Sequence, residues 1–243
     1  MASNSEPSVA PLPLAILLVA GPKDHGPGEH DYPAWQAAWG QMLGALPDVR
    51  VDAAFVWPTA AQWDHSDLVV FYFRNRDWSA AHFRDLENHL ERGRGLALLH
   101  SAMVASHDPR PLAGLIGISG QRPELQFRHG AVDLVLDSRH DIVDGLETLA
   151  LEDETYWALH VHPQGVDVLG TAVEAGRKQP QIWTYRRGPG RVFGAIPGHY
   201  MTTFDDPRYR RLLASGLAWA VSAPATRFAP FVESLRQVAT NQG

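Results

Sequence analysis

Five short stretches of this sequence gather residue types that can move protons or hold a metal ion. They are His25-Gly26-Pro27-Gly28-Glu29-His30, His100, His140, the run Glu152-Asp153-Glu154-Thr155-Tyr156-Trp157, and Gly198-His199-Tyr200. Imidazole is a common general base near neutral pH and a common metal ligand, and a carboxylate can do either job. The first stretch sets two imidazoles and a carboxylate on glycines that let backbone approach a ligand closely. Gly198 likewise permits a sharp turn ahead of His199. Carboxylates beside Tyr156 and Trp157 match a sugar-binding cleft as well as they match a solvated acidic face. Each histidine has a structural alternative too, as a helix cap or as a ring bonded to backbone.

Composition narrows the chemistry. The chain has 243 residues, 12 histidines, 8 tryptophans and no cysteine. Without cysteine there is no thiol nucleophile, no disulfide framework and no thiolate zinc site. A formal net charge of -6 leaves no electrostatic footprint for nucleic acid or an anionic membrane. No dinucleotide or P-loop glycine pattern is present, so no nucleotide cofactor is expected. Imidazole and carboxylate together suit one divalent ion, zinc, manganese, nickel or iron, with a position open to substrate. The expected ligands are His30, His100, His140 and His199.

The elements that must position these groups can be read from pattern. Leu96 to Leu99 is an unbroken apolar run between Gly95 and His100, the signature of a strand buried on both faces of a parallel sheet. Ligand crevices in such sheets lie outside the carboxyl ends of the strands, which is where His100 stands. Leu14 to Ala20 and Leu68 to Phe73 have the same character and are expected as its neighbours. Trp35, Ala38, Trp39, Met42, Leu43 and Leu46 fall on one helical face behind Pro33. Ser79 can cap the helix that leads into the central strand.

Val49 to Phe55 alternates as a strand, as do Ala131 to Leu136, Val166 to Thr171, Gln181 to Tyr185 and Val192 to Ile196. The last two flank Arg187-Gly188-Pro189-Gly190, a hairpin turn. A final helix is expected from about Pro207 to Val221. The domain reading is a leader over 1–13, one α/β domain over 14–221, and a tail over 222–243 with room for a short helix. The start lacks a basic signal region and its apolar run is too short to span a bilayer, so a cytoplasmic location is expected.

Taken in order, His25-Gly-Pro-Gly-Glu29-His30-Asp31-Tyr32, Leu98-Leu99-His100, His140 before Gly145-Leu146, Asp153-Glu154-Thr155-Tyr156, Gly190-Arg191-Val192-Phe193 and Gly198-His199-Tyr200 resemble the trehalose-utilisation (ThuA-like) family. The resemblance runs from Leu14 to about Ala220. It implies a three-layer α/β/α sandwich of flavodoxin-like, class I glutamine-amidotransferase-like type, with a mostly parallel sheet and an antiparallel part. It also implies a place in sugar catabolism, including 3-keto-disaccharides, with a divalent metal in some members.

His100 stands where amidotransferases carry a cysteine, so glutaminase chemistry is excluded. Members often have His-Pro where this chain has His140-Asp141, and a bulkier aromatic in place of Ser101. The expected substrate is a small carbohydrate, cleaved by elimination and hydration or isomerised, with His100, Glu154 and His199 catalytic. His25, Glu29, Tyr32, Asp153 and Tyr156 would bind it. The competing function is a non-catalytic sugar-binding or regulatory protein that keeps the cleft, and homo-oligomerisation is left open.

Overall fold

The computed structural model describes residues 13–137 and 139–233. The expected leader therefore lies outside the described residues except for Pro13, as do the last ten residues of the tail. Strand and helix alternate through the first half: β1 (Leu14–Ala20), α1 (Tyr32–Gly44), β2 (Val49–Phe55), α2 (Ala60–His65), β3 (Leu68–Tyr72), α3 (Ala80–Glu91) and β4 (Gly95–Leu99). Then come β5 (Val104–Ala105), α4 (Arg110–Ile116), β6 (Ile118–Gln121), β7 (Gln126–Leu136), β8 (Thr148–Trp157) and β9 (His160–Val161). The second half ends with β10 (Val166–Glu174), β11 (Arg177–Arg187), β12 (Gly190–Ala195) and α5 (Pro207–Ala220), and a 3-10 turn covers Ala225–Phe228 of the tail. Among the described residues no helix is long and apolar enough to cross a membrane.

Among the described residues the main sheet has nine strands in the order β2-β1-β3-β4-β12-β11-β10-β7-β8. β1, β3 and β4 are neighbours, and every residue of each is buried, as unbroken apolar runs require. The expectation of a mostly parallel sheet is corrected. The strands from β2 to β12 run parallel, but β12, β11, β10, β7 and β8 pair antiparallel throughout. Tight connections explain the change, because a short turn such as Gly188-Pro189 can return the chain only antiparallel.

Helices cover both faces of the parallel half. On β12, Phe193 lies against Gly216 of α5, while the next residue, Gly194, abuts Trp183. The Trp183 indole N–H donates to the carbonyl of Ile116 in α4 at 2.9 Å. Consecutive strand residues face opposite ways, so α5 and α4 sit on opposite faces. A side chain at Gly194 would collide with the Trp183 ring, which fixes that position as glycine.

Local chemistry sets the helix starts, at Ser79 as the sequence suggested and at Asp31 rather than His30. Asp31 caps α1, and Trp35, Trp39 and Leu43 bury its inner face. Ser79 and His82 form a reciprocal cap on α3. The antiparallel half bends sharply. β10 carries a register irregularity on either side of Gly170, which is wedged between Ile182 and Leu136. Such bulges bend a strand and increase its twist.

His89 on α3 anchors that helix to β4 by donating from Nε2 to the Gly95 carbonyl at 3.0 Å. Burial pushes its pKa down to about 4, against the raising effect of that bond, from an ordinary value of 6.5. The unfolded chain therefore binds more protons than the fold between those values, so stability is full above pH 6.5 and falls as pH drops toward 4. The limiting slope for one such group is about 1.4 kcal/mol per pH unit. Urea denaturation at pH 7 and pH 5 should show a smaller acid loss for His89→Gln than for the parent, by roughly 1–2 kcal/mol. Equal losses would show that another group sets the acid sensitivity.

Candidate functional site

β4 ends at Leu99, and the backbone at once enters the left-handed region at His100, φ 54°. That conformation is uncommon for a residue with a side chain. His30, at the start of α1, is also left-handed, φ 42°. His199 follows β12 through Gly198, whose φ of 147° and contacts with Phe204 and the His100 Cβ leave no room for a side chain. Glu154 arrives from the antiparallel half on β8.

These four residues converge. His30 Nε2 lies 2.7 Å from His100 Nε2 and 3.0 Å from His199 Nδ1. Glu154 Oε2 is 3.2 Å from His100 Nε2 and 3.5 Å from His199 Nδ1. One ligating atom from each lies within 4.8 Å of all the others, and all four residues are buried. Donors around a tetrahedral ion with bonds of about 2.0–2.1 Å stand roughly 3.3 Å apart, close to these separations.

Hydrogen bonds behind the cluster set which nitrogens are bare. His100 Nδ1 donates to the Ile196 carbonyl at 2.8 Å, which leaves Nε2 of the neutral ring without a proton. His30 Nδ1 donates to Asp24 Oδ1 at 2.9 Å, which leaves its Nε2 bare as well. Two such nitrogens 2.7 Å apart need a positive particle between them, a proton or a metal ion. A carboxylate that orients a ligating imidazole from behind is a recurring second partner in metal sites. Among the described residues His199 Nε2 is buried without a hydrogen-bond partner, and a carboxylate oxygen of Glu29 is 3.7 Å away. The residues present fit a divalent ion.

Charges follow this arrangement. Burial would raise the Glu154 pKa, but the bonds and charges of His100 and His199 outweigh it and hold the carboxyl well below its usual range. Asp24 is treated the same way: burial raises it, while His30 and His25 more than compensate. Burial pushes His30 down to about 4, with the neighbouring His100, His25 and His199 adding to the effect and Asp24 opposing it. His199 moves up, because Glu154 overrides burial.

A cavity of about 90 Å³ opens over the cluster, and His30, Glu154, His25, His129, Arg74 and Arg122 are among the residues that line it. A larger groove of about 470 Å³ runs between α5 and the tail, but it is mostly apolar and touches none of the clustered groups. The small cavity is the one that His30 and Glu154 line.

The other expected site residues divide. Tyr32 bonds His30 Nδ1 at 2.8 Å and Ser101 at 3.2 Å, and Tyr156 reaches His100 Nε2 at 3.2 Å. His25 packs on His30 with ring centres 3.8 Å apart, and Glu29 accepts from the Gly26 N–H. Asp153 is corrected from a substrate contact to a positioning one. It is fully buried, and its carboxylate accepts from the backbone N–H groups of Glu154, Gly198 and His199 and from the Thr203 hydroxyl.

His140 is also corrected. Its ring accepts from the Ile142 N–H and lies near Trp219, outside the cluster. Only parallel strands deliver all their carboxyl ends to one edge. β7 runs antiparallel to β8, with His129 opposite Glu154, and Leu136 lies seven residues beyond His129. At about 3.4 Å per residue that carries the following loop roughly 24 Å away.

Sequence reasoning missed His129 and Asp24. His129 Nε2 lies 3.1 Å from Glu154 Oε1, and its ring centre is 4.3 Å from that of His199. The signal was the alternation of β7, which extends five residues ahead of Ala131.

Comparison with known proteins places this arrangement in context. The family model for ThuA, trehalose utilisation, matches residues 25–220. A ThuA-like protein from Parabacteroides merdae is 20% identical with a TM-score of 0.67, over 86% of this chain and 90% of that one. A second, from Bacteroides uniformis, is 18% identical with a TM-score of 0.67, over 94% of this chain and 100% of that one. A β-galactosidase from Bacillus circulans is 11% identical with a TM-score of 0.60, over 87% of this chain but 32% of the enzyme. At these identities the likeness is one of fold. No curated protein matches the sequence.

Asp153→Ala would strand three buried backbone donors and a hydroxyl, each worth about 1–3 kcal/mol when left unpaired. Chemical denaturation should show a loss of at least about 3 kcal/mol, with faster amide exchange at Gly198 and His199, and Asp153→Asn should lose less. A loss under about 1 kcal/mol would mean that the clamp contributes little.

Proposed function

The chain belongs to the ThuA family of trehalose utilisation, and from that premise we propose that it acts in carbohydrate breakdown on a 3-keto-glycoside, with a divalent ion in the histidine cluster. The observation that supports this reading is the convergence of His30, His100 and His199 on one point, with the bare nitrogens of His30 and His100 aimed there by hydrogen bonds made behind those two rings. Three imidazoles and an open position are a recurring catalytic ligand set.

His30, His100 and His199 would hold the ion, which when bound supplies a Lewis acid for the sugar carbonyl. Glu154 is ionised and lines the cavity. It takes the proton from the carbon beside the ketone, and His129 on its other oxygen passes that proton toward solvent. The electron pair left on C2 becomes the C1=C2 bond as the C1–O bond breaks. The departing oxygen keeps the bonding pair and gains a proton. Water then adds across the double bond to give the free keto sugar. Return of the proton to a neighbouring carbon instead would be an isomerisation with the same parts.

The cavity is smaller than the roughly 300–1,000 Å³ typical of small-molecule sites. Only the reacting edge of a sugar enters it, and the remainder lies outside. That size also supports the second reading, a protein that holds a sugar without turning it over.

Protein purified without chelator should carry about one divalent ion per chain by elemental analysis, and His30→Ala or His100→Ala should lose it together with turnover of a 3-keto-disaccharide. Asp24→Asn, which weakens the orientation of His30 without removing a ligand, should lower metal affinity about 10–100-fold. Protein that neither binds added metal nor turns over the sugar, yet still binds it, would select the second reading.

A further inference from the structure

We infer that the pocket over the histidine cluster takes a sugar bearing an anionic group, a carboxylate or a phosphate, and that Arg74 and Arg122 receive that group. The inference rests on the carbohydrate reading above and narrows its substrate class.

Two guanidinium groups line a cavity of about 90 Å³. Arg74 follows β3 and is half-buried, while Arg122 follows β6, is exposed, and lies 4.0 Å over the ring of Phe127. Among the described residues no carboxylate pairs with either one. The nearby acids are already engaged. Asp24 gives one oxygen to His25 and His30 and the other to Arg76. Glu154 gives one oxygen to His129 and the other to His100 and His199.

Eight of the sixteen other described arginines find acids: Arg76 with Asp24, Arg92 with Asp64, Arg110 with Asp108, Arg128 with Glu174, Arg139 with Asp137, Arg187 with Glu87, Arg208 with Asp206 and Arg210 with Asp205. What sets Arg74 and Arg122 apart is that both line one cavity, which gathers positive charge in a chain whose formal net charge is -6. Burial, together with the like charges of Arg76 and Arg122, disfavours the charge on Arg74. An incoming anion would relieve that opposition. Guanidinium is the side chain best matched to a carboxylate or phosphate, which it can bond through two parallel N–H groups. Phe127, 40% exposed beside Arg122, offers an apolar face for the sugar ring.

Calorimetric titration of the full chain with D-glucuronate, inorganic phosphate and D-glucose tests the assignment. At least one anion should bind about ten-fold or more tightly than glucose, and the tighter of the two identifies the group as carboxylate or phosphate. Raising the salt concentration should weaken the anion and leave glucose unaffected. Arg74→Gln and Arg122→Gln should each weaken the anion about ten-fold or more. Arg139→Gln, in the loop beyond β7, should not. Arg122 is exposed, so its replacement keeps the test valid should the Arg74 variant misfold.

Equal affinity for all three probes, no binding by any of them, or equal losses in all three variants would overturn the inference. Its failure is separable from failure of the carbohydrate reading. Turnover of a neutral 3-keto-disaccharide without any anion preference would retain that reading and reject this one. Arginine-dependent anion binding in a protein that turns over no sugar would do the reverse.

Discussion

One buried carboxylate holds the two halves of this molecule in register. In the sheet order β8 is separated from β12 by β11, β10 and β7. At roughly 4.8 Å between strands a flat sheet would keep them about 19 Å apart. Yet Asp153 on β8 bonds the backbone N–H groups of Gly198 and His199, which follow β12, at 2.8 Å and 3.0 Å. The antiparallel half must therefore curl back over the parallel half. The bulge about Gly170 supplies the bend. The Gln181 side chain, which bonds both the N–H and the carbonyl of Tyr156, secures the returning strand. Glu154 reaches the histidines only because this curl is fixed.

That geometry explains which parts of the fold were legible in the sequence. β1, β3 and β4 announce themselves because a strand covered on both faces must be apolar at every residue. Helices α1 and α3 follow from Pro33 and Ser79 at their starts and from one apolar face each. β8 was hidden by its own function. Leu149, Leu151 and Asp153 share one face, but three successive carboxylates from Glu152 to Glu154 read as a solvated run rather than a strand. A buried acid pointing into backbone N–H groups looks the same in sequence as an exposed one. The difference lies in partners far along the chain, here 45 and 46 residues on.

The site shows the same division. His30, His100, Glu154 and His199 do come together as the sequence suggested, each from a recognisable stretch after a strand or before a helix. His140 was included on the premise that loops converge at one edge, which holds for the parallel half and fails where strand direction alternates. His129 was passed over because its strand was started at Ala131, two residues late for the alternation to reach it. Asp24 carries no pattern of its own. Its role appears only when His30 Nδ1 is found 2.9 Å away.

The histidine cluster then raises a question of cost. Left-handed backbone at a residue with a side chain costs on the order of 1–3 kcal/mol, and both His30 and His100 adopt it. Burying an imidazole adds to that expense, as the low pKa of His30 records. Hydrogen bonds donated to Asp24 and to the Ile196 carbonyl then force the two rings to present bare nitrogens to each other. The left-handed backbone and the facing lone pairs do not stabilise the fold. Each becomes favourable once positive charge occupies the point where the rings meet, because the lone pairs then bind it and Glu154 neutralises part of it. The pocket above it, rimmed by Arg74 and Arg122, is then a place where negatively charged groups of a ligand meet attraction from both floor and rim.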